Sequence, residues 1–73
     1  SDAVAPMEAL AAVRRAVERF TDNHLAAQGA VALLAAVAAN AEGRKAVGTL
    51  LAELPECPTA NVLREEMSWR LEY

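Results

Sequence analysis

One stretch of this chain contains almost no polar side chain, and it limits the folds that the rest can adopt. Between Leu25 and Ala39 the only polar side chain is Gln28, and the larger apolar residues point in several directions around a helix. A helix that is apolar nearly all round is normally buried on several sides. We therefore expect a central helix at about residues 24–39, with the other helices packed around it.

Three further segments have apolar residues at helical spacing, and none shows the alternation of a β-strand. Pro6 suits the first turn of a helix, and Pro55 ends the third segment. The sequence therefore predicts an all-α fold, a small antiparallel bundle of about four helices at residues 6–20, 24–39, 41–54 and 59–72. Residues 1–5 are expected to form a flexible leader, and residues 6–73 a single helical domain.

The same spacing predicts which side of each flanking helix is buried. The predicted buried residues are Met7, Leu10, Val13, Val17 and Phe20 in the first helix, Val47, Leu50, Leu51 and Leu54 in the third, and Val62, Leu63, Met67 and Leu71 in the fourth. Asp22 or Asn23 is expected to cap the central helix, and Thr59 or Asn61 the fourth. Asn40 is expected to end the central helix or to cap the third.

Glycines inside two of the predicted helices indicate special positions. Gly29 costs the central helix about 1 kcal/mol relative to alanine, which suggests that another helix backbone lies close to it. Gly43 and Gly48 weaken the third helix, and Gly48 predicts a kink or a break. We expect a neighbouring repeat or a partner either around Val31 and Ala35 or near Gly29.

Length and charge restrict the function classes. A chain of 73 residues forms one domain at most and buries only about 60% of its unfolded surface, so a neighbour would help to stabilise it. The net charge of −3 argues against general nucleic-acid binding. No apolar run is long enough to span a membrane.

Cys57 is the single cysteine, which fits a reducing intracellular compartment such as the cytoplasm. The chain begins with Ser1 rather than methionine, so we expect it to be processed or a piece of a longer protein.

No group of residues has the spacing of a catalytic, metal or phosphate-binding site. His24 is expected to be an imidazole at a helix cap, and Cys57 an unreactive thiol. Glu65 and Glu66 point about 100° apart on a helix and cannot share a proton. We therefore expect no enzyme activity, no cofactor and no bound metal.

Aromatic and basic residues are the candidates for partner binding. Trp69 and Tyr73 are the strongest, because Trp, Tyr and Arg are enriched at binding hot spots. Trp69 either closes the core or projects outward. The only concentration of basic residues comprises Arg14, Arg15, Arg19, Arg44 and Lys45. Arg15 and Arg19 lie one helical turn apart, on a solvated face or in a patch that binds an acidic peptide.

The stretch Thr21–Val47 combines several short features in a fixed order. These are Asp22-Asn23, Gln28-Gly29, Leu33-Leu34, Asn40, Arg44 and Val47. Together they resemble armadillo-type helical repeats. The chain departs from the family pattern after Val47, which fits a terminal capping repeat. The resemblance implies armadillo/HEAT-like helical packing and a protein–protein interaction scaffold without catalysis.

The sequence therefore favours a non-catalytic protein–protein interaction module, either the end of a helical repeat array or a self-associating domain. A small helix-turn-helix-like domain that contacts nucleic acid is an alternative, since a short turn joins the first two helices. The net negative charge argues against nucleic-acid binding. So does the lack of side chains other than Gln28 that could contact bases. A helical appendage of a larger enzyme, such as a kinase, is a third hypothesis.

Overall fold

The computed structural model of the protein describes residues 6–71, and this part of the chain forms four α-helices and no β-strand. The helices are α1 (Pro6–Arg19), α2 (His24–Val37), α3 (Ala41–Glu53) and α4 (Pro58–Leu71). The prediction of an all-α fold with four helices is confirmed. The leader predicted for residues 1–5 lies outside the described residues, as does Tyr73.

The helix α2 packs most extensively against α4 and α1, and less against α3. The start of α4 lies beside the start of α2, where Thr59 bonds to Asn23. Farther along both helices, Glu66 lies beside Val31. The two helices α2 and α4 therefore run in the same direction. The bundle is therefore not antiparallel throughout, since its most extensive helix contact joins two parallel helices.

The core lies between the helices and uses one side of each. Its buried residues include Ala9, Val13 and Val17 from α1, Ala27, Ala30 and Leu34 from α2, Val47, Leu50 and Leu51 from α3, and Ala60, Leu63 and Met67 from α4. Met7 and Phe20, predicted to be buried, are exposed. Met7 lies about 120° around α1 from Val13, and Phe20 follows the last residue of the helix.

Asparagine side chains begin two of the helices. The Oδ1 atom of Asn23 accepts a hydrogen bond from the Ala26 N–H at 2.9 Å, and that of Asn40 accepts one from the Gly43 N–H at 2.8 Å. Each bond satisfies a backbone donor that has no partner within its helix. Asn23 is thus the N-cap of α2, and Asn40 is the N-cap of α3.

The start of α4 differs from the prediction. Pro58 takes its first position, where the missing proline N–H costs no hydrogen bond. The Cys57 carbonyl accepts the first helical hydrogen bond, from the Asn61 N–H at 2.8 Å. Neither Thr59 nor Asn61 is therefore the cap residue.

Thr59 instead joins α4 to the turn between α1 and α2. Its hydroxyl donates to the Phe20 carbonyl and accepts from the Asn23 N–H at 2.8 Å. Its own N–H donates to the Thr21 carbonyl at 3.0 Å. The first two bonds satisfy the buried hydroxyl. All three hold the start of α4 against the start of α2.

Arg64 closes the carboxyl end of α3. Its Nε donates to the Leu51 carbonyl at 3.0 Å, and its Nη2 donates to the Leu54 carbonyl at 2.5 Å. Carbonyls at the end of a helix lack partners within it, and the planar guanidinium can reach two of them at once. The end of α3 is therefore fixed to the middle of α4.

Gly43 lies where α3 passes the end of α2. A Cβ atom on Gly43 would lie 1.6 Å from the Val37 carbonyl oxygen, whereas one on Gly48 would meet nothing within 4 Å. The predicted break at Gly48 is wrong, because α3 continues through it without interruption. Only at Gly43 does backbone of a neighbouring helix leave no room for a side chain.

Alanine substitutions at the three glycines should distinguish the close contact at Gly43 from the open positions Gly29 and Gly48. We expect Gly43→Ala to lower the free energy of unfolding by about 2–3 kcal/mol, because the backbones must move apart. Gly29→Ala and Gly48→Ala, at open helical positions, should each raise it by about 1 kcal/mol. Urea unfolding followed by circular dichroism measures all three. A Gly43→Ala variant as stable as the unmodified chain would contradict the close contact.

Candidate interaction surface

One side of α2 faces away from the other three helices. We call it the outer α2 face, and its residues are Leu25, Gly29, Ala32, Leu33 and Ala36. All five are exposed, Leu25 to 78% and Leu33 to 41%. α2 contacts all three other helices, as expected of a central helix. These neighbours leave the side around Gly29 uncovered.

The outer α2 face is apolar and uncharged. The range His24–Val37 contains no aspartate, glutamate, lysine or arginine, and Gln28 lies only at the margin of the face. The two exposed leucines are separated by small residues that leave the helix backbone accessible. Contiguous exposed apolar surface of this kind is typical of a binding site.

A groove runs beside this face, between α2 and α4. We call it the α2–α4 groove; it has a volume of about 260 Å³ and is lined by His24, Gln28, Val31, Val62 and Glu66. Val31, a predicted partner-binding residue, is half-buried there and Val62 faces it. The parallel alignment of α2 and α4 brings these residues together, and this alignment was not evident from the sequence.

Trp69 projects outward from the end of α4, and 55% of it is exposed. It follows Val62 and Glu66 at helical spacing, on the side of α4 that faces the groove. The Arg70 guanidinium lies 4.3 Å from the centre of the Trp69 ring, a cation–π contact that limits the movement of both side chains. The alternative in which Trp69 closes the core is wrong.

Gly29 has no close neighbour in the described part of the chain. A Cβ atom built on it would meet no atom within 4 Å. No helix of the described residues therefore approaches Gly29, and the expected neighbour at this position stays a prediction for a second molecule or repeat. The residue lies in the middle of the outer α2 face, where a second molecule can approach the backbone.

The basic residues do not form one patch. Arg14 pairs with Glu53 at 2.9 Å, and Arg44 donates to the Ala38 carbonyl at 3.3 Å. Both side chains therefore connect helices. Arg15 and Arg19 are exposed on α1.

Among the described residues, no charged side chain is paired with His24 or Cys57. His24 is the exposed first residue of α2, and Cys57 is half-buried before α4. Within residues 6–71, no three His, Cys, Asp or Glu side chains lie where they could hold a metal ion.

A second groove, between α1 and α3, was missed by the sequence reasoning. It has a volume of about 400 Å³, and its lining includes Met7, Leu10, Leu50 and the Arg14–Glu53 pair. Leu50 belongs to the core and Leu10 packs against it, so Met7 is the one strongly exposed large apolar residue there. In the sequence, the position of Met7 away from the buried side of α1 could have indicated this groove.

Comparison with known proteins does not indicate a function for this surface. No protein-family model, curated protein or solved structure matches the chain. Among the helices formed by residues 6–71, none is long and apolar enough to cross a membrane.

The two sides of α2 should respond differently to truncation. Leu34→Ala removes a fully buried side chain and should lower the free energy of unfolding by about 2–5 kcal/mol. Leu25→Ala, the matched control on the exposed side, should change it by about 0.5 kcal/mol or less. Urea unfolding at low protein concentration gives both values. Equal losses at the two leucines would contradict a helix covered on one side only.

Proposed function

We propose that this chain is a non-catalytic protein–protein interaction module that binds its partner through the outer α2 face. The α2–α4 groove and Trp69 extend this surface on one side. The partner covers the exposed leucines and places its own side chains in the groove.

The observation that carries this proposal is the exposure of Leu25 and Leu33 on a helix without charge. A surface helix of a monomer normally presents charged or polar residues to water. Here the exposed sides of α1, α3 and α4 all contain charged residues, besides the exposed Met7 and Trp69, whereas α2 contains none. Burial of two leucines and part of a tryptophan is a typical source of binding energy.

The small size of the domain supports the same proposal. Many of its core residues are alanines, which contribute little transfer free energy per residue. A partner on the outer α2 face would remove further apolar surface from water and stabilise the folded chain.

A more specific form of the proposal follows from the resemblance to armadillo-type repeats at Thr21–Val47. In this form the chain is the end of an armadillo/HEAT-like array, and a neighbouring helical unit lies on the outer α2 face. Gly29 and Ala32 favour it, since small residues permit close packing of helices.

The helix-turn-helix hypothesis has no comparable support. The helix that would read bases is α2, which offers Gln28 and contains no lysine or arginine to bind phosphate. We therefore propose protein binding rather than nucleic-acid binding.

Site-specific photocrosslinking tests the proposal. A photoreactive phenylalanine derivative in place of Leu25, which is 78% exposed, keeps a large apolar side chain on the face and should crosslink the chain to a partner protein in an extract of the source cells. The same derivative at Ala52, exposed on α3, is the matched control and should give no such product.

The added substitution Leu33→Glu should abolish the crosslink from the probe at Leu25, because it places a charge in the apolar contact. Absence of any crosslink from the probe at Leu25, or equal yields from the probes at Leu25 and Ala52, would overturn the assignment of this surface. Mass spectrometry of the product identifies the protein that was captured.

A further inference from the structure

Residues of opposite charge lie on the two sides of the outer α2 face, near its middle. Arg15 and Arg19 are exposed on the side of α1 away from the α1–α3 groove. Glu65 and Glu66 are exposed on α4, where Glu66 borders the α2–α4 groove. At this level the surface has a basic side on α1, an apolar centre on α2 and an acidic side on α4, although α1 also contains the exposed Glu8 and Glu18 and α4 contains Arg70.

These charges lie at about the same level along α2. Glu66 is beside Gln28 and Val31 in the α2–α4 groove. The helices α1 and α2 run in opposite directions from their turn at residues 20–23, and each rises about 1.5 Å per residue. Arg15 and Gln28 are equally far from the middle of this turn, so Arg15 also lies beside Gln28. Arg15 on α1 and Glu66 on α4 are therefore at the same height along α2, on opposite sides of it.

We propose that the partner at the outer α2 face is a second copy of this chain, with the two α2 helices parallel about a two-fold axis. In this arrangement the basic side of each copy faces the acidic side of the other, so the same attraction occurs twice. This inference rests on the proposed function, because both require the outer α2 face as the interface.

The same charges select the parallel orientation. An antiparallel two-fold pair would bring α4 onto α4, so that Glu65 and Glu66 would meet their own counterparts. It would likewise bring α1 onto α1, with Arg15 and Arg19 opposite their own counterparts. Like charges across an interface are unfavourable, so the antiparallel pair is the weaker one.

The shape of the outer α2 face also suits a second copy. Gly29, Ala32 and Ala36 permit close approach of two helices, and Leu25 and Leu33 project on either side of the small residues. α2 has 14 residues and is therefore about 21 Å long. Contact along this one helix buries less surface than a permanent dimer needs, so we expect a reversible dimer.

Sedimentation velocity at increasing protein concentration tests this arrangement with three charge variants. The first combines Arg15→Glu with Arg19→Glu and has two acidic sides. The second combines Glu65→Arg with Glu66→Arg and has two basic sides. The third contains all four substitutions and exchanges the two sides. All four residues are exposed, and circular dichroism verifies that each variant is folded.

The unmodified chain should show a monomer–dimer equilibrium. Each two-residue variant should dimerise at least about tenfold more weakly, because both contacts become repulsive. The four-residue variant should recover dimerisation, since its sides are again opposite in charge. Unchanged dimerisation of the two-residue variants, or no recovery in the four-residue variant, would overturn the parallel arrangement.

An unmodified chain that stays monomeric at every concentration would overturn self-association altogether. The crosslinks from the probe at Leu25 then distinguish the two proposals. A product with a different protein would leave the proposed function standing while rejecting a second copy. No product with any protein would reject the proposed function as well.

Discussion

The buried hydroxyl of Thr59 determines how the two most closely packed helices meet. It bonds to the backbone at Phe20 and at Asn23, so the start of α4 is held against the start of α2. Because both helices then run in the same direction, Val62 and Glu66 lie beside the polar margin of α2 and form a groove with it. Trp69 reaches the same side at the next turn. The candidate surface depends on this one connection between a turn and a helix start.

The composition of α2 explains why the bundle can close and why one side of it stays apolar. Ala27 and Ala30 allow α1 and α4 to come close, while Leu34 supplies a large buried side chain. The remaining helices are too few to surround α2, so Leu25 and Leu33 face water. A larger domain would cover such a helix with a further layer.

Periodicity and capping residues were sufficient to predict four helices, a cap of α2 at Asp22 or Asn23, and the buried side of α3. They could not predict which apolar residues lack a neighbour, because this depends on how many helices surround each one. The exposure of Leu25 and Trp69 is of this kind. The importance of Gly43 was equally hidden, since a glycine has the same intrinsic helix cost wherever it occurs. Only the crossing of α2 and α3 distinguishes it from Gly29.

Methyl NMR spectra recorded over a dilution series test most directly whether the outer α2 face is the interface between two copies. The methyl signals of Leu25 and Leu33 should shift together as the protein concentration falls. Those of Leu50 and Leu63, buried in the core, should stay constant. Signals at Leu25 and Leu33 that do not change with concentration would contradict the account, as would changes confined to Met7 in the α1–α3 groove.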